Sequence, residues 1–241
     1  MKPIDIELTF RLQDKNLPSI EDHYNMLWKF ALVLEKYANM PIDEWYPPAD
    51  TPQTSRLNSA FDRLGATAAA IAMAKAAKAH EGGFGTLGVW NGVEERQGGS
   101  SFSTSLSEKG LCLMDFGAAG IPTLYNYKIL VSILMDALAI WPSTVATIGI
   151  LTTKYFTEYQ VFKDRPAAGW MLYLPKILTV QQVPEARALV PVLKDKKQVG
   201  TIIVSVTDEP FDVNNPEHIK IANAIEIRLV DQDLLPRFVD L

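Results

Sequence analysis

The stretch 82-GGFGTLGVWNGVEERQGGSSFSTSLSEKGLCLMDFG-117 decides how the rest of the chain is read. Apolar and polar residues alternate through Leu87 to Trp90 and again through Ser101 to Leu106, the signature of strands with one buried face. Leu111 to Phe116 is almost continuously apolar and reads as a more buried strand. Asn91-Gly92, Gly98-Gly99 and Lys109-Gly110 supply residues suited to tight reversals. The segment is therefore a three-stranded meander with Glu94 and Glu95 near one tip, and it carries no evident catalytic side chain.

Working outward, Ile4 to Leu12 alternates in the same way, and its apolar side needs a cover. Ser19 with Asp22 resembles a capping box opening a helix whose apolar residues run from Ile20 to Ala38 in steps of three or four. Four prolines between Met40 and Pro52 make an ordered loop around Trp45 and Tyr46. Thr54 to His80 reads as helical with a break at Gly65. Pro122 to Trp141 is an apolar helix, Thr144 to Leu151 a strand and Thr153 to Phe162 a short helix. Strands are expected at Trp170 to Leu174, Ala186 to Leu193 and Val199 to Thr207. A last helix starts at Asn215-Pro216, a cap followed by proline at the first helical position.

These elements predict an α+β fold in one domain, residues 1–241, with mainly antiparallel strands packed against helices. Residues 1–141 and 142–241 run through a similar β-α-β-β-β-α order without matching residues. That order suits an internal duplication as well as two unrelated segments sharing one sheet.

Of the 241 residues 48% are apolar and 21% charged, a globular composition. A net charge of -5 argues against general nucleic-acid binding, which needs clustered Lys and Arg. Asp208 to Leu241 holds eight acids against three bases, an excess equal to the charge of the whole chain. Asp208, Glu209, Asp212, Asp231 and Asp233 thus join Glu94 and Glu95 as candidate contacts for a basic partner, with a solvated helix face as the plainer reading. Trp45 and Tyr46 are candidate aromatic anchors. The single cysteine, Cys112, lies in an apolar strand and reads as a buried, unreactive thiol in a reducing compartment. MKPIDIELTF has no signal-peptide core. The apolar window Ile129 to Leu151 contains Asp136, which would cost roughly 3 kcal/mol to insert, and Pro142; it reads as a buried helix and strand, not a membrane span.

Catalytic signatures are missing. No nucleophile elbow, phosphate loop, dinucleotide fingerprint or His-Glu-x-x-His motif occurs. His23, His80 and His218 fall on three predicted helices without a ligand at metal spacing. The serines from Ser100 to Ser107 suit the open face of a strand.

Several segments together resemble the immunity protein 52 family of bacterial polymorphic-toxin systems: Val89-Trp90-Asn91-Gly92, Pro166 to Pro175, Phe211 to His218, Ala224 to Leu229 and Leu234-Leu235-Pro236. The resemblance implies a non-enzymatic, cytoplasmic antitoxin without cofactors. Its partner would be a cognate nuclease toxin, a restriction-endonuclease-like DNase effector delivered by type VI secretion, with no direct contact to nucleic acid or membrane. It supplies no residue-level binding motif. Two other classes stay open at this point: an adaptor that loads an effector without inhibiting it, and an enzyme whose residues converge from distant positions.

Overall fold

The computed structural model describes residues 3–150 and 155–241. Its centre is strand β1 (Ile4–Phe10), in which Ile4, Ile6, Leu8 and Phe10 are buried while Asp5, Glu7 and Thr9 point to the other side. The meander is present as β3 (Phe84–Trp90), β4 (Ser100–Ser107) and β5 (Cys112–Ala118), preceded by the two-residue β2 (His80–Glu81). β6 (Ser143–Ile150), β7 (Met171–Leu174), β8 (Ala188–Lys194) and β9 (Lys197–Val204) complete one nine-stranded sheet in the order β2-β3-β4-β5-β1-β6-β7-β9-β8. Every pairing is antiparallel. The fold is α+β. The N-terminal and C-terminal parts pair differently: β1 lies beside β5, the last strand of its meander, whereas β6 lies beside β7, the first of its three.

Two helices cover the apolar side of β1. Helix α1 (Ile20–Ala38) starts at Ser19, whose side chain accepts from the Asp22 amide, and ends at Asn39 in the left-handed conformation. Helix α4 (Tyr127–Ile140) is capped by Asn126 and packs beside α1. Between helices and sheet, the Phe30 ring lies 5.2 Å from Phe102, 5.7 Å from Phe116 and 5.6 Å from Trp141, each edge-on. On the opposite side of the sheet, helix α5 (Pro216–Asp231) buries Ile225 and Leu229 against Leu172, Leu174 and Ile203. That helix covers the β7 and β9 end only. Among the described residues, no helix covers the same side of β1, β4 and β5.

Several expectations are corrected. Thr54 to Gly65 is helical only at its start, where the four-residue helix α2 (Pro52–Ser55) ends; beyond it Phe61 bridges to Ala66, and Asp62 accepts from the amides of Leu64 and Gly65. These side-chain bonds supply the backbone with the partners a helix would have given. The alanine-rich run forms only α3 (Ala68–Ala76), and His80 sits on β2, not on a helix. The expected helix from Thr153 begins outside the described residues; Tyr155–Tyr159 forms a π-helical turn. The β8–β9 hairpin turns on Asp195 and Lys196 at φ values of 50° and 64°, the geometry of a two-residue reversal. Among the described residues no helix is long and apolar enough to cross a membrane.

Candidate functional site

The open side of the sheet is acidic because of strand register. On β1, Asp5 lies opposite Gly117 of β5 and Gly149 of β6, while Glu7 lies opposite Asp115 and Thr147. A side chain added at either glycine would meet nothing within 4 Å, so Asp5 borders empty space on both flanks. The resulting cavity of about 520 Å³ is floored by Asp5, Glu7, Thr9 and Asp115. Ser101 of β4, paired with Gly117, borders it on the far side of β5.

One wall comes from the segment that follows β6. Glu226, wholly buried on α5, accepts from the Tyr155 hydroxyl at 2.9 Å and from the Val161 and Ala168 amides at 3.0 Å. These bonds fix the chain that presents Phe156, Pro166 and Ala167 to the cavity. The C-terminal segment adds Phe238, held by its amide to the Asp164 carbonyl at 2.9 Å and by the Arg165 guanidinium on the Leu235 carbonyl. Arg11, just past β1, donates to the Leu241 carbonyl at 2.5 Å. Phe156 and Phe238 remain about half exposed at the rim.

Three carboxylates thus converge, and among the described residues none of them has a counter-charge. Burial, then the Asp115 charge and a hydrogen bond with Asp115, push Asp5 up to about 8 from its usual value of 3.8. Burial and the Asp115 charge also raise Glu7. Among the described residues, no ion pair reaches any of the three. At neutral pH Asp5 therefore keeps its proton, which eases the crowding of charge on this face. No group of three or more His, Cys, Asp or Glu side chains among the described residues is arranged to hold a metal ion.

The residues singled out from the sequence lie elsewhere and in separate places. Trp45 is corrected: it is 1% exposed, with its ring 4.6 Å from Phe102, and belongs to the core. Tyr46 is half-buried, bridged to Trp90 through the backbone, and lies against Gly92. Glu94 is exposed but paired with Arg56 at 2.6 Å; Glu95 beside it is exposed. Glu209 meets His218 at 3.1 Å, and Asp212 accepts from the Asn214 amide at 2.9 Å, both in the turn before α5, where Asp208 is exposed. Asp231 and Asp233 are exposed at the far end of that 16-residue helix, about 24 Å away. Asp5, Glu7 and Asp115 were missed because 108 residues separate Glu7 from Asp115 in sequence. An aspartate inside the apolar run Leu111 to Phe116 was the available signal.

A family model described as immunity protein 52 matches residues 29–237. Among solved structures, a Pseudomonas aeruginosa T6SS protein shares the fold at a TM-score of 0.51 and 9% identity, covering 93% of this chain and 73% of that one. No curated protein matches the sequence.

Proposed function

Because this chain belongs to the immunity protein 52 family, we propose that it is an antitoxin of a type VI secretion system and that it neutralises a cognate nuclease in the cytoplasm of the producing cell. The fold shared with the Pseudomonas aeruginosa T6SS protein supports the secretion setting. The nuclease assignment rests on the family resemblance and on charge. A nuclease presents Lys and Arg to DNA phosphates, and an acidic inhibitor can occupy the same surface.

The observation that carries the reading is the carboxylate trio of Asp5, Glu7 and Asp115 on the open side of the sheet, which no cation among the described residues pairs. Crowding acids in this way lowers the stability of the free protein, a cost that binding sites accept and structural cores avoid. A Lys or Arg side chain of the toxin entering the cavity supplies the missing charge, displaces the proton shared by Asp5 and Asp115, and lays its apolar stem against Phe156 and Phe238. Glu95, Asp208, Asp231 and Asp233 act at longer range by steering approach. Tyr46 with Glu94, and Glu209 with Asp212, are secondary contacts whose side chains are already partly committed inside the chain.

The test is inhibition of DNA cleavage by the toxin with which the protein co-purifies. The wild type should abolish cleavage at equimolar concentration, and Asp5→Asn combined with Glu7→Gln and Asp115→Asn should weaken inhibition about 100-fold. Full protection by the triple variant would remove the cavity from the interface. Binding that leaves cleavage undiminished would replace the antitoxin with a loading adaptor.

A further inference from the structure

On the α4 side of the sheet, at the end formed by β7, β9 and β8, lies a second pocket of about 420 Å³ that the antitoxin reading does not use. Its size falls in the range of small-molecule sites, roughly 300–1,000 Å³. Met135 and Leu138 of α4, Val192 of β8 and Val199 of β9 give it an apolar lining. Ser143 and Thr144 also border it, but their hydroxyls already donate to the carbonyls of Trp141 at 2.7 Å and Thr9 at 3.0 Å.

Two polar groups stand apart from that pattern. Tyr173 is 5% exposed and lines the pocket, with its ring over Gly200; a side chain there would come within 2.7 Å of the tyrosine hydroxyl. That hydroxyl has no hydrogen-bond partner among the described residues, and burial alone raises its pKa. Lys194, at the mouth, is exposed and makes no ion pair among the described residues. The pocket therefore offers one hydroxyl donor at its wall and one cation at its mouth around an apolar cavity.

We infer that this pocket binds a small amphiphilic carboxylate. Its aliphatic or aromatic body lies against Met135, Leu138 and Val199, and its carboxylate accepts from the Tyr173 hydroxyl while Lys194 neutralises the charge. One cation and one neutral donor match a monoanion; a phosphate dianion would leave oxygens without donors.

Decanoate is the probe, followed by isothermal titration on the full chain, with decan-1-ol as the neutral control. The wild type is expected to bind one decanoate saturably and decan-1-ol at least tenfold more weakly. Tyr173→Phe, which removes only the hydroxyl, should weaken decanoate about tenfold, and Lys194→Ala about fivefold. Ala139→Phe, at an exposed lining position, should block the pocket while circular dichroism and the melting temperature stay unchanged. Absence of saturable binding at millimolar decanoate would overturn the inference, as would affinity unchanged in both Tyr173→Phe and Ala139→Phe. Equal binding of decan-1-ol would overturn the carboxylate assignment. Loss of toxin binding in Ala139→Phe would place a protein side chain in the pocket instead.

Discussion

Replacing Asp5 by asparagine should stabilise the isolated protein at neutral and alkaline pH while weakening its grip on a cationic partner. Asp5 titrates near 8 in the folded chain, and its usual value of 3.8 applies once the chain unfolds. Between those two values the folded state holds a proton that the unfolded state has released, so stability falls as pH rises. Each pH unit is worth at most about 1.4 kcal/mol, which sets a ceiling of roughly 4 kcal/mol at pH 7. Asp5 borders an open cavity, and solvent screening reduces the usable figure to about 1–2 kcal/mol. For a chain of this size, that corresponds to a melting temperature about 2–8 °C higher in Asp5→Asn. The amide keeps the shape of the protonated acid and still donates to Asp115. Urea denaturation of both proteins at pH 8 and pH 4 measures the difference, which should be present at pH 8 and nearly absent at pH 4. A variant less stable than the wild type at pH 8, or one with the same gain at both pH values, would refute the reasoning.

Glu226→Gln replaces an acceptor of three hydrogen bonds with a group that can satisfy only part of them, so it should cost about 2–3 kcal/mol and speed amide exchange across residues 155–168; unchanged exchange there would contradict the bracing role. His23 is wholly buried, with Nδ1 2.8 Å from Nε2 of His80, and burial, then His80, pushes it down to about 3. Its imidazole NMR signals should therefore not titrate between pH 8 and 5. Its contribution to stability, complete above about 6.5, is lost as pH falls from there toward 3; an inflection near 6.5 in the folded protein would contradict this. Trp45→Ala should behave as a core truncation, costing about 3–5 kcal/mol in urea denaturation. Reversing Asp231 and Asp233 to lysine should slow association with a basic toxin in stopped-flow measurements at low salt and leave it nearly unchanged at high salt.

The strands and the long helices were readable because local patterns specify them. Alternation in β1 assigned each residue to a face, Ser19 and Asn215 marked two helix starts, and the meander was legible from its turns. What could not be read was long-range pairing. Placing β1 between β5 and β6 joins residues more than 100 positions apart, and nothing local specifies that order. The acidic cavity depends on it, because that pairing both buries Asp5 and brings Asp115 diagonally beside it. Trp45 failed for a related reason. A proline-rich loop suggests exposure, yet this loop folds inward to seat Trp45 on Phe102 while Tyr46 bonds to the end of β3. Residues Thr54 to Gly65 carry enough helix-compatible side chains to suggest a helix, but Asp62 and the bridge from Phe61 to Ala66 divert the backbone into turns. Charge counting along the sequence found surface acids, some already paired as Glu94 and Glu209 are, and missed the three that strand pairing brings together.

The central claim is that a cationic side chain of the toxin displaces the proton held between Asp5 and Asp115. Calorimetric titration of toxin into the protein at pH 7, repeated in buffers of different ionisation enthalpy, measures that proton directly. The account predicts release of close to one proton per complex, fading above pH 9 and absent in Asp5→Asn. A binding enthalpy that is independent of the buffer at pH 7 would contradict it.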